Sequence, residues 1–230
     1  MDRLKQSFIR LPFGIAVAVV LSVALVIVGL VLPETGRRAY IVEGGFLETA
    51  TVVAYAALIL ALIAMSGSDR KFFLGSAAIT GLALARELDL HNRKITSAHL
   101  LKLRTYTGDG VPLWEKLIMA AVLLLIGLLL VWYAASYARG LWRRLRAGDS
   151  AGYGVLTALV LLVLAKLFDL LVRTVREITG IVLDPGIALK VAEESFELVA
   201  PLVLVVAVLQ QRLSIANGPL QEGSVRRSRS

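Results

Sequence analysis

The sequence predicts an all-α integral membrane protein that forms a bundle of six transmembrane helices. Hydrophobic residues make up 57% of the 230 residues, whereas soluble domains contain about 45–50%. The mean hydropathy is +0.77. The apolar residues also occur in long runs, and about 20 consecutive apolar residues are enough to cross a bilayer.

The six predicted spans belong to a single membrane domain, residues 1–212. The first span follows the basic segment MDRLKQSFIR and has no small-residue cleavage site, so we predict a retained helix rather than a signal peptide. Residues 213–230 are rich in Gly, Ser and Arg, which predicts a disordered basic tail in the cytoplasm. The spans cover about residues 13–32, 47–65, 72–88, 113–137, 153–175 and 191–211.

The distribution of basic residues predicts the orientation of the bundle. The clearest signal is GLWRRLR, residues 140–146, between the fourth and fifth spans. Cytoplasmic loops carry an excess of Lys and Arg, so this loop and both termini are expected in the cytoplasm. We therefore expect an inner (plasma) membrane protein with an N-in, C-in arrangement.

The longest outside loop, residues 93–112, precedes the fourth span. Its HLLKLR core mixes apolar and basic residues, as an interfacial helix does. In that position Lys102 and Arg104 would lie near headgroup phosphates.

The predicted orientation gathers ionisable residues from several spans into one layer in the outer half of the bundle. Glu197 lies about two turns inside the sixth span, and Lys166 and Asp169 lie near the middle of the fifth. A charge in the middle of a span costs about 2.5–3.5 kcal/mol on insertion scales, so such residues usually face the interior and pair. The sequence therefore predicts a carboxylate-rich cavity open to the outer leaflet.

Each residue type in this layer suggests a role at a candidate site. Carboxylates serve as general bases or metal ligands, and cations bind anionic groups. The candidate catalytic residues are Glu194, Glu197, Asp169 and Glu87. The candidate substrate-binding residues are Lys166, Arg173, Glu48, Arg93, Lys102 and Arg104.

A divalent metal is the candidate cofactor. Glu87 and His91, in ELDLH, are four residues apart on one helix face, and Glu194 is the third candidate ligand. Di-iron bundles use two Glu-x-x-His motifs, a pattern that this chain with its two histidines does not meet. An oxygen-rich site favours Mg, Mn or Ca. The absence of cysteine excludes disulfides and thiolate ligands.

Three functions agree with these features. The first is binding or processing of a lipid-linked or amphipathic substrate at the outer leaflet; the second is a proton- or cation-coupled transporter or channel. The third is a non-catalytic assembly protein with a buried ion-pair network. Transporter sites usually lie at the midplane between repeats, and no repeat is found here, which favours the first.

The predicted partners are membrane lipids and a second copy of the chain. The second span carries a small-residue face that favours close helix packing, formed by Ala50, Ala54, Ala57 and Ala61. The net charge of +8 does not indicate nucleic acid, because basic excess in a membrane protein reflects loop orientation and anionic lipids.

Overall fold

The computed structural model describes residues 13–41, 44–67, 69–88, 111–179 and 185–227. The regular secondary structure in these ranges is entirely helical, so the all-α prediction is confirmed. The helices of these ranges are α1 Phe13–Val31, α2 Glu34–Ile41, α3 Phe46–Ala64, α4 Arg70–Glu87, α5 Leu113–Arg146, α6 Ser150–Thr179 and α7 Pro185–Arg227.

The described part of the chain has five helical segments long and apolar enough to cross a membrane, as a multi-pass membrane protein requires. They are Phe13–Val31, Leu113–Arg146, Ser150–Leu171, Ala188–Ile215 and the stretch Glu34–Ala64, in which α2 and α3 are the described helices. The remaining predicted span, residues 72–88, corresponds to α4. Its 18 residues carry charged side chains at both ends, among them Arg70 and Glu87. Because α4 is less apolar than the other segments, the count of six spans is not confirmed.

Two further predictions concern the loops and the tail. Most of the segment predicted as an interfacial helix, residues 93–112, lies outside the described residues. Helix α7 runs past residue 213 to Arg227, and the disordered cytoplasmic tail predicted from residue 213 stays a prediction.

Helix α7 lies at the centre of the bundle and packs against α6, α1 and α3. Its buried Val199 and Val203 contact Ala18 of α1 and Ala158 of α6 in one core cluster. Its Val191 belongs to a second cluster with residues of α2 and α3. Neighbouring helices therefore surround α7, and its polar residues lie at helix interfaces.

Small residues bring α1, α6 and α7 close together. A Cβ atom on Gly14 of α1 would lie 3.1 Å from the Cα atom of Gly154 in α6. A Cβ atom on Gly154 would in turn lie 3.0 Å from the Cβ atom of Ala207 in α7. Such close approach is typical of helix interfaces in membranes, where packing rather than the hydrophobic effect drives association.

The Ala-rich face of α3 is partly used inside the chain. Ala54 is buried, and both Ala50 and Ala54 pack with the cluster that contains Val191 and Leu198. Ala57 is exposed. Contact of this face with a second copy remains a prediction.

Helix α5 is exposed along most of its length but is fixed to the bundle near its C-terminal end. The hydroxyl of Tyr133 is hydrogen-bonded to that of Ser76 in α4, and the ring of Tyr137 packs edge-on against Phe72. The turn into α6 is tight because Gly148 has φ +71°, a conformation that glycine adopts at little cost. α6 therefore begins directly after α5, at Ser150.

Candidate functional site

Glu197 of α7 joins three helices. Its Oε1 atom lies 2.7 Å from the Nζ atom of Lys166 in α6 and 2.9 Å from the Nη2 atom of Arg86 in α4. The Arg86 contact is a hydrogen bond that the guanidinium donates. Since the three residues come from three different helices, their ion pairs fix the relative positions of α4, α6 and α7.

The carboxylate and its two cations differ strongly in exposure. The Glu197 side chain is 6% exposed, whereas those of Arg86 and Lys166 are 46% and 45% exposed. Glu87 lies beside them, 9% exposed, with its Oε1 atom 3.8 Å from Arg86 Nη2. We call Arg86, Glu87, Lys166 and Glu197 the charged cluster. Its carboxylates lie inside the bundle and its cations extend outward.

A second group of ion pairs lies one to two turns earlier on α7. The Nζ atom of Lys190 is 3.1 Å from Glu193 and 2.8 Å from Glu194. These residues are three and four positions apart, so they meet on one helix surface. Both ion pairs lie within α7 and do not connect it to another helix.

The structure brings together some of the predicted catalytic residues. Glu197 and Glu87 both belong to the charged cluster. Asp169 lies one turn after Lys166 on α6 and is half-buried. Glu194 is instead bound to Lys190 on its own helix.

Two of the six predicted substrate-binding residues, Lys166 and Glu48, are fully described, and they have different partners. Lys166 lies in the charged cluster. Glu48 is near the start of α3, where its carboxylate accepts a hydrogen bond of 2.7 Å from the backbone N–H of Gly44, as acidic residues in a first helical turn often do. The other four residues, or their side chains, lie outside the described part: Arg93, Lys102, Arg104 and the side chain of Arg173.

The metal prediction gains no support from the described residues. Among them, no group of three or more His, Asp or Glu side chains is arranged to hold a metal ion. Glu87 is near Arg86 and Glu194 is near Lys190, and both neighbours are cations rather than further ligands. His91 lies outside the described residues, so the three-residue metal site remains a prediction.

Sequence reasoning missed Arg86 as a site residue. Helical spacing places Arg86 and Glu87 on different faces of α4, about 100° apart. A long arginine side chain can nevertheless extend along an apolar surface to reach a partner, and Arg86 reaches Glu197 in this way. The usable signal was a single arginine at the end of an apolar run, which requires a partner at the same depth.

Comparison of the chain with known protein families, curated proteins and solved structures gives no match. What the site can bind is therefore inferred from the donors, acceptors and distances of its own residues. A guanidinium has five N–H donors and an ammonium three, while a carboxylate only accepts. The bonds to Glu197 use one donor of Arg86 and one of Lys166. An arrangement of this kind can bind an anion through the outward-facing cations.

Proposed function

We propose that this protein binds a lipid or lipid-linked molecule with an anionic headgroup, and that Arg86 and Lys166 hold the anionic group. The main observation in support is the contrast in exposure within the charged cluster. Both cations are nearly half exposed, although the carboxylate they share is buried. Ion pairs that serve only to hold helices together do not require their cations to face outward.

The chemistry of the two cations suits a phosphate group. Arginine presents its donors in a planar fork that matches two phosphate oxygens, and lysine acts as a compact point charge. Glu197 holds both cations from behind, so little conformational entropy is lost when an anion binds between them. In this proposal Glu197 positions the cations, and Glu87 is the candidate acid–base group if a reaction follows binding.

We also propose which membrane contains the protein and which side of that membrane the charged cluster faces. Arg143, Arg144 and Arg146 lie in the last turn of α5, just before the N-terminal end of α6, and Lys166 lies more than four turns along α6 from that end. If this basic end is cytoplasmic, as the positive-inside rule predicts, the charged cluster faces the outer half of an inner membrane. A lipid in the outer leaflet would then be the ligand.

A structural function competes with binding, since Glu197 joins three helices. In that case the cluster fixes helix register and binds nothing. The two functions differ in what Arg86 and Lys166 contribute. For a structural network, the cations affect only stability; for a binding site, they also determine preference for anionic lipids.

Lipid titration with native mass spectrometry tests the proposal. The solubilised protein is titrated with phosphatidylglycerol, which is anionic, and with phosphatidylcholine, which is zwitterionic. We expect Arg86→Gln and Lys166→Met to weaken phosphatidylglycerol binding about tenfold or more, because a hydrogen bond to a charged group contributes about 1.5–3 kcal/mol. Phosphatidylcholine binding should not change.

Arg144→Gln is the matched control for Arg86→Gln. Arg144 is 44% exposed, lies 3.5 Å from the carboxylate of Asp149 and donates a hydrogen bond to Gln211 of α7. It therefore resembles Arg86 in exposure and pairing but lies outside the charged cluster, in the last turn of α5. If Arg144→Gln weakens phosphatidylglycerol binding as much as Arg86→Gln, the effect reflects general charge and the proposal is wrong. If Arg86→Gln and Lys166→Met both bind phosphatidylglycerol as the wild-type chain does, the binding proposal is wrong and the charged cluster has only a structural function.

A further inference from the structure

A second feature lies away from the charged cluster, on the α1 side of α6 and α7. A groove of about 540 Å³ lies between α1 and α6, and Phe196 of α7 also lines it. Its rim includes Val19 and Val160, which are 57% and 48% exposed, and its floor includes Ala18 and Ser22, which are buried. The groove therefore opens sideways from the bundle.

All its lining residues fall within segments apolar enough to cross a membrane. The groove therefore continues into the hydrocarbon region that would surround α1 and α6. It runs along α1 from Ile15 to Ile27, which is about 18 Å at the helical rise. Lipid chains lie along the same direction, because membrane helices stand roughly upright in the bilayer.

The dimensions of the groove distinguish a lipid chain from a helix. A whole helix about 10 Å across and 18 Å long would occupy about 1,400 Å³, so a helix can cover the 540 Å³ groove but cannot lie inside it. A methylene group is about as large as a water molecule, whose share of liquid volume is about 30 Å³, so the groove accommodates about 18 methylene groups. One acyl chain fits.

Polar atoms also lie along the groove. The Ser22 hydroxyl on the floor is buried and has no hydrogen-bond partner among the described residues. Tyr153, at one end, belongs to the first turn of α6, close to the tight turn at Gly148. Tyrosine is enriched where the hydrocarbon meets the headgroups, so this end suits the glycerol end of a lipid.

From the volume and direction of the groove, and from Tyr153 at one end of it, we infer that it binds one acyl chain of a membrane phospholipid, with the glycerol end near Tyr153. This site is separate from the charged cluster. The inference goes beyond the proposed function and does not depend on it.

Matched tryptophan substitutions on α1 test the inference. Val19 lines the groove, whereas Val20 does not and is 65% exposed. Val19→Trp should fill the groove from its rim without disturbing the core, and Val20→Trp should extend away from it. The phospholipid retained per chain after detergent exchange is then measured by native mass spectrometry, in protein purified from phosphatidylcholine vesicles.

We expect the wild-type chain and Val20→Trp to retain one phospholipid, and Val19→Trp to retain about tenfold less, equivalent to about 1.4 kcal/mol of binding free energy. Val160→Trp is an independent block from the α6 side of the groove. Lys166→Met should retain the phospholipid, which separates this result from a failure of the anion-binding proposal. Equal retention in all variants would overturn the inference.

A second copy of the chain is the competing occupant. The chain has no cysteine, so Val23→Cys on the groove rim is a clean probe. Disulfide-linked dimers of this variant in the membrane, without retained phospholipid in the wild-type chain, would show that a helix of another copy covers the groove. Retained phospholipid with monomeric Val23→Cys would support the acyl-chain site.

Discussion

The effect of removing Glu197 follows directly from its position. Glu197→Gln keeps the size of the side chain but removes the charge that Arg86 and Lys166 share, at 2.9 Å and 2.7 Å. Both cations then lie at helix interfaces without their buried carboxylate. We expect a clear loss of stability, because three helices are held at this one residue.

The expected loss of unfolding free energy in Glu197→Gln lies between two limits. Removing one partner of a fully buried ion pair costs about 3–5 kcal/mol, whereas an exposed pair contributes at most about 1 kcal/mol. Glu197 is 6% exposed, but its cations are 46% and 45% exposed, and their long side chains can extend toward the membrane surface when released. We therefore expect Glu197→Gln to lower the free energy of unfolding by about 2–3 kcal/mol.

The assay is a reversible unfolding titration with SDS in mixed micelles, followed by far-ultraviolet circular dichroism. Glu193→Gln is the matched control, since Glu193 is 5% exposed but pairs with Lys190 on its own helix. Lys190 keeps Glu194 as a partner in this variant, so its cost should stay below about 1 kcal/mol. Equal losses in the two variants would refute the argument that Glu197 acts by joining helices.

Three further predictions concern packing and turns. Gly29→Ala should lower thermal stability by about 1–3 kcal/mol, because its Cβ atom would lie 2.5 Å from Val191 Cγ1; Gly127→Ala, in open space, should not, and melting in detergent compares the two. Gly148→Val should destabilise the chain by about 1–2 kcal/mol, given its φ of +71°, and Gly148→Asn should cost less in the same melting experiment. Tyr133→Phe removes a hydrogen bond to α4 and should cost about 1 kcal/mol, measured by SDS titration; no change would show that aromatic packing alone holds α5.

The membrane class of the fold could be predicted because long apolar runs have few alternative structures. The run at residues 13–32 becomes α1, Phe13–Val31, with only small differences at its ends. Whether α4 spans the membrane was harder to predict, because both ends of its short apolar run are charged. Whether such a helix spans the membrane depends on where Arg86 and Lys71 find partners, and hydropathy does not contain that information.

The candidate site was partly predictable for a related reason. Helical spacing and the cost of buried charge singled out Lys166 and Glu197, which do pair. The same reasoning made Glu194 a candidate catalytic residue and metal ligand, although Lys190 stands four residues before it and forms an ion pair with it. The contact between Arg86 and Glu197 spans 111 residues along the chain and depends on how α4 packs, which no local pattern encodes.

The charged cluster and the groove lie on different faces of the α6–α7 pair. Phe196 lines the groove and Glu197 anchors the cluster, and consecutive helical residues point about 100° apart. On α6, Leu161 of the groove and Lys166 of the cluster are five residues apart, so they point about 140° apart. A lipid whose headgroup reaches Lys166 cannot place its chain in the groove without passing around α6. If both sites bind, they hold two molecules, and the substitutions at Val19 and at Lys166 should act independently and additively.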